Sequence, residues 1–133
     1  MIERDKKTQK TTEQGMNYTH CYAQFVHFFK NVCMHLGIHD WKIEFNGDNY
    51  CWMHKKTITI DTEYDGDVRQ IILHEIAHIG TCRFSNQKHT SAYWKYLEYL
   101  TRKFLKKGLD KHQIEHRKWM GEGIYNLCYE NCA

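Results

Sequence analysis

The stretch Ile71-Ile72-Leu73-His74-Glu75-Ile76-Ala77-His78-Ile79-Gly80 sets three chemically demanding side chains inside an apolar run. Val68, Ile71, Ile72, Ile76 and Ile79 recur at helical intervals, and Asp67 stands where a helix start calls for a side-chain acceptor. The spacing predicts a helix that Gly80, or the residues just beyond it, stops. Positions i and i+4 lie about 40° apart around such a helix, so His74 and His78 project from one face, one turn apart. Two histidines and a glutamate are expensive to bury without partners, so this run needs a chemical reason for them.

That spacing allows two imidazoles to reach one zinc ion at about 2.0–2.1 Å. Glu75 sits one step round the helix, near enough to take the proton of an activated water and deliver it to a leaving group. Glu75 is therefore the candidate general base, and His74 and His78 are candidate metal ligands. Ordinary solvated side chains in this pattern belong on a loop or an exposed helix, not in an apolar one. A catalytic zinc takes a third protein ligand. The metzincin pattern requires Gly at position 81 and His at position 84; the chain has Thr81 and Phe84, which excludes it. Two candidates remain: Glu98, as in gluzincins, and His89, just before the next helical stripe.

Working outward, Tyr22, Phe25, Val26, Phe29, Val32, Cys33 and Leu36 form a stripe over Tyr18–Leu36, ended by Gly37. Trp41–Phe45 alternates apolar with polar residues, and Asn46-Gly47-Asp48-Asn49 is turn chemistry. A hairpin to Tyr50–His54 is expected. Thr57–Ile60 is a further β-branched strand and Asp61–Asp67 a polar loop. Beyond the motif, a loop through Arg83–Lys88 leads to a helix over about Thr90–Lys107, ended by Gly108, and then a basic helical piece to about Met120. The order predicts an α+β fold: a small antiparallel or mixed sheet of about three strands packed on three helices. Residues 1–16 are expected to be a flexible tail, 17–108 the domain, and 109–133 a basic C-terminal appendage.

Composition agrees with a single globular domain of 133 residues, 41% hydrophobic, with a net charge of +3. No run of 18 apolar residues is present, so no membrane partner is expected. The polar start MIERDKKTQKTTEQG has no signal-like apolar stretch, which points to the cytoplasm and to reduced cysteines. Of the six, Cys21, Cys33, Cys51 and Cys82 read as small core residues. His112, His116, Cys128 and Cys132 have the chemistry of a second, structural zinc site, although their spacing matches no common finger. Seven basic residues between Arg102 and Lys118 could steer the chain toward phosphates, or simply coat a solvated face.

His74-Glu75-Ile76-Ala77-His78, followed by His89-Thr90-Ser91-Ala92-Tyr93-Trp94, resembles the SprT-like zinc peptidases, a zincin family that includes DNA–protein crosslink proteases. The resemblance covers roughly Tyr18–Lys107. It implies a minimal zincin-like domain in which His89 is the third zinc ligand and Trp94 packs under the site. It also implies protein or peptide substrates, with DNA-associated proteins among them. The expected function is a zinc-dependent metalloendopeptidase whose substrate adds as a strand to an exposed edge of Thr57–Ile60. Tyr93 and Tyr125 are candidates to assist at the oxyanion. The alternative is a non-catalytic, zinc-containing nucleic-acid-binding or adaptor module. A cell-wall peptidase is disfavoured by the polar N-terminus.

Overall fold

A computed structural model describes residues 17–85 and 89–120. The chain divides after His39 into two units. Expectations for the 1–16 tail, for Cys128 and Cys132, and for Tyr125 lie outside the described residues.

The first unit holds helix α1 (Asn17–Leu36), whose stripe includes the buried Phe29, Val32 and Cys33. Its end is a Schellman motif. Gly37 takes φ +70°, its N–H donates to the Met34 carbonyl, and the Ile38 N–H donates to the Cys33 carbonyl at 2.9 Å.

The second unit, from Asp40, is a small α+β fold. Its strands are β1 (Lys42–Glu44), β2 (Tyr50–Trp52) and β3 (Thr57–Thr59), with a 3₁₀ turn (Met53–Lys55) between the last two. The strand order is β1-β3-β2, with β3 parallel to β1 and antiparallel to β2. This corrects the expected hairpin, because β1 and β2 do not pair with each other. The reason lies in β3, whose Thr57, Ile58 and Thr59 are all buried, as befits a central strand. Its threonines tolerate burial because their hydroxyls are satisfied locally. Thr57 donates to the Lys55 carbonyl at 3.0 Å, and Thr59 accepts the Trp52 indole N–H at 3.2 Å. Strand addition to β3 is thereby excluded, since both of its edges are taken.

Helix α2 (Val68–Ser85) packs on α3 (Ser91–Leu105) and on β2 and β3. Asp67 caps its start, accepting the Arg69 N–H at 3.0 Å. Every residue from Gln70 to His78 is buried, so α2 is a central helix and not the one-sided amphipathic helix its isoleucine spacing suggests. It also runs through Gly80. A Cβ at that position would strike the Tyr96 ring of α3, so this glycine serves the close approach of two helices instead of stopping one. Thr90 caps α3, its hydroxyl accepting the Tyr93 N–H, and the helix ends at Lys106 in the left-handed conformation (φ +62°), ahead of Gly108. Helix α4 (Lys111–Met120) follows a short connection. Among the described residues no helix is long and apolar enough to cross a membrane.

Candidate metal centre

Three elements converge on one point. Helix α2 supplies His74, Glu75 and His78, all buried. His89, 1% exposed, comes from the residue just outside the Thr90 cap of α3. The Nε2 atoms of His74 and His89 lie 3.1 Å apart. Two nitrogens sharing a tetrahedral zinc would stand about 3.3 Å apart, given bonds of about 2.0–2.1 Å. By the same geometry the ring centroids should be about 5.2 Å apart. The observed separations are 5.1 Å for His74–His89, 5.3 Å for His74–His78 and 4.8 Å for His78–His89. The three rings singled out by sequence are thus neighbours, with a nitrogen-to-nitrogen approach at His74 and His89, while His78 stacks on Tyr93 at 4.5 Å and is not in the group of ligand atoms that His74 and His89 form with His116. Glu98 is not among them; it lies on the exposed side of α3, 3.5 Å from Arg102.

A fourth imidazole joins from α4. His116 stacks on His74 at 5.6 Å with an interplanar angle of 13°, and its centroid is 4.7 Å from that of His89. Ligand atoms of His74, His89 and His116 all lie within 4.8 Å of one another, a group that could hold a metal ion. His116 was expected in a separate site with His112, Cys128 and Cys132. It instead faces the α2 histidines, and burial holds its pKa below the usual histidine value. His112 turns elsewhere, to within 3.6 Å of Asp65.

The second layer orders the first. His74 Nδ1 is 2.8 Å from the amide oxygen of Gln113, which is 3% exposed. A donor at Nδ1 leaves the Nε2 lone pair facing His89, the tautomer a metal ligand requires. Gln113 is fixed in turn: its backbone N–H donates to Asp110 at 3.0 Å, and Asp110 also accepts the Tyr64 hydroxyl at 2.8 Å. Asp110 N–H donates to the buried Gln70 side chain, whose amide donates to Thr101. The Tyr93 hydroxyl donates to the His74 carbonyl at 2.8 Å, tying α3 to α2, so it is committed to a structural bond and not poised over a reacting oxygen. Trp94 stacks on His89 at 5.6 Å.

Glu75 is 1% exposed, and its Oε1 has no hydrogen-bond partner among the described residues. Burial, with a smaller contribution from the charge of Asp48, pushes its carboxyl up to about 8. It borders a cleft of about 320 Å³ lined also by Asn49, Tyr64, His74, Gln113 and His116. Gln113, Asp110, Tyr64 and the inward turn of His116 are the parts that sequence reasoning missed. Their one signal is weak: Gln113 and His116 share a face at i and i+3, in a helix with no apolar stripe. No family model, curated protein or solved structure matches the chain.

Proposed function

We propose that this chain is a zinc-dependent metalloendopeptidase of the SprT-like kind, with His74, His78 and His89 as the zinc ligands and Glu75 as general base. The observation that carries the proposal is the convergence of His74 and His89, Nε2 to Nε2 at 3.1 Å, beside a buried carboxylate that faces a cleft. Imidazole donors of this kind suit zinc. Zinc, when bound, polarises the scissile carbonyl and acidifies the attacking water. Glu75 takes the water's proton and returns it to the departing amine. Gln113 holds His74 in the ligating tautomer. The substrate backbone pairs with the outer edge of β2, which among the described residues pairs only with β3 and is entered through Asn49 at the cleft. The substrate class is an extended polypeptide segment.

The substitution Glu75→Gln tests the proposal. The variant keeps one zinc per chain, measured by elemental analysis, and loses hydrolysis of an unfolded protein such as denatured casein. Cleavage at the parent's rate would sink the mechanism.

A second function, a non-catalytic zinc module that touches nucleic acid, is favoured by the exposure of Arg102, Lys103, Lys106, Lys107, Lys111 and Lys118. Its mark is salt-sensitive DNA binding that is indifferent to Glu75→Gln, with no proteolysis of DNA-bound protein.

A further inference from the structure

We propose that His116 is a displaceable fourth ligand, so that α4 closes the metal centre when docked and opens it when released. The inference rests on the metal-centre reading above and adds a regulatory element to it. A hydrolytic zinc keeps one position open for water or substrate, whereas a zinc with four protein ligands is closed. With His74, His78 and His89 assigned, His116 is the side chain left to fill that position. Its centroid lies 4.7 Å from His89 and 5.6 Å from His74, and its ligand atom lies within 4.8 Å of theirs. It also lines the cleft that Glu75 faces, where an incoming peptide carbonyl would have to pass.

The way α4 is held suits a part that moves. Its apolar Ile114 and Trp119 are 39% and 81% exposed, so little apolar surface secures it. The inward face carries Gln113 and His116, and the helix start is pinned by the Tyr64–Asp110 and Asp110–Gln70 hydrogen bonds. Segments with few buried apolar contacts open at low free energy. Release of the His116 turn of α4 frees the coordination position, while Gln113, tied to the pinned helix start through Asp110, keeps its contact with His74 Nδ1. An extended polypeptide that binds only the open form draws α4 away, and by reciprocity whatever holds α4 down weakens substrate binding.

The test uses the full chain loaded with Co²⁺, whose visible spectrum reports coordination, and titrates acetohydroxamate as a probe of the open position. His116→Ala and the bulk-retaining His116→Gln are compared with the parent, each checked for folding by circular dichroism. If about a tenth of the parent is open, its half-saturating hydroxamate concentration is about tenfold higher than that of the variants. Zinc affinity, from chelator competition, falls about tenfold or more in both variants. Identical hydroxamate responses and zinc affinities in parent and variants would overturn the fourth-ligand assignment. His74→Ala separates the two claims. Its loss of stoichiometric metal, alongside unchanged His116 variants, leaves the metal centre standing and removes the gate; zinc held by His74→Ala as tightly as by the parent overturns both.

Discussion

Replacing Gln113 by Leu deletes its short bond to His74 and a long one to Tyr64, which makes it the sharpest probe of the metal centre. The amide oxygen stands 2.8 Å from His74 Nδ1, and both residues are buried. Without an ion His74 can carry its proton on Nε2 instead, where His89 Nε2 stands 3.1 Å away. With an ion the ring must present Nε2, so its Nδ1–H stays fixed against leucine carbons. The penalty therefore falls mainly on the loaded state. A buried donor without an acceptor costs about 1–3 kcal/mol. Loss of a partner behind a ligating histidine typically weakens metal binding about 10–100-fold, or about 1.4–2.7 kcal/mol. The two routes agree. Zinc competition against a chelator of known affinity, at constant pH, should show a shift of that size for Gln113→Leu, and Gln113→Glu, which keeps an acceptor, should restore tight binding. Tyr64→Phe is the internal control. Its bond to the Gln113 amide is 3.4 Å long, so zinc affinity should move less than threefold even though the Asp110 contact is lost. A Gln113→Leu protein that folds normally and binds zinc within twofold of the parent would refute the role given to His74.

His89→Ala should lower zinc affinity at least about 100-fold, since it removes a direct ligand, whereas Glu98→Ala should cost only a few tenths of a kcal/mol in thermal unfolding, as expected of an exposed i,i+4 pair. Equal effects of the two on metal binding would reopen the choice of third ligand. Gly80→Ala should destabilise the fold by about 1–3 kcal/mol through its clash with Tyr96, and adding Tyr96→Ala should recover part of that loss in a double-mutant cycle. The hydrogen bonds from Arg69 hold the Asp67 carboxyl below its ordinary value, despite an opposing contribution from burial. A depressed pKa contributes stability above the unfolded-state value near 4 that disappears as pH falls through the folded-state value. Asp67→Asn should therefore lower the melting temperature at pH 6 and converge with the parent toward pH 2. The difference should stay below about 1 kcal/mol, because Arg69 is half exposed.

What the sequence makes legible is local. The Asp67 cap, the Gly37 turn and the one-turn spacing of His74 and His78 are each fixed by residues within one or two helical turns, and each is where the spacing puts it; the Thr90 cap is equally local, at the residue where the α3 stripe is expected to begin. Strand order is not of this kind. A strand as short as Thr57–Thr59 carries too little pattern to choose its neighbours, and alternation alone suggests a half-exposed strand. Only the hydrogen bonds of the two threonines to Lys55 and Trp52 make full burial tolerable, and those depend on the finished sheet. Gly80 misleads for a similar reason. Helix-ending chemistry and close helix–helix approach both select glycine, and the deciding neighbour, Tyr96, lies on another helix.

The site divides the same way, and the division explains which histidines could be anticipated. His74 and His78 are related by the helix itself. His89 is related to them by a capping residue: Thr90 starts α3 at a fixed residue, and the Tyr93 hydroxyl then ties that helix to the His74 carbonyl, so the residue just outside the cap is delivered to α2. His116 has no such local tether. It reaches the site because α4 docks through Asp110, Gln70 and Tyr64, polar contacts 46 and 40 positions apart in two of the three pairings with its N-terminal turn. An apolar stripe would have announced a helix seated on a core. A helix that buries Gln113 while exposing Ile114 and Trp119 is seated on a polar centre instead, and that inversion of the usual pattern is the physical reason its role escapes a search for hydrophobic periodicity.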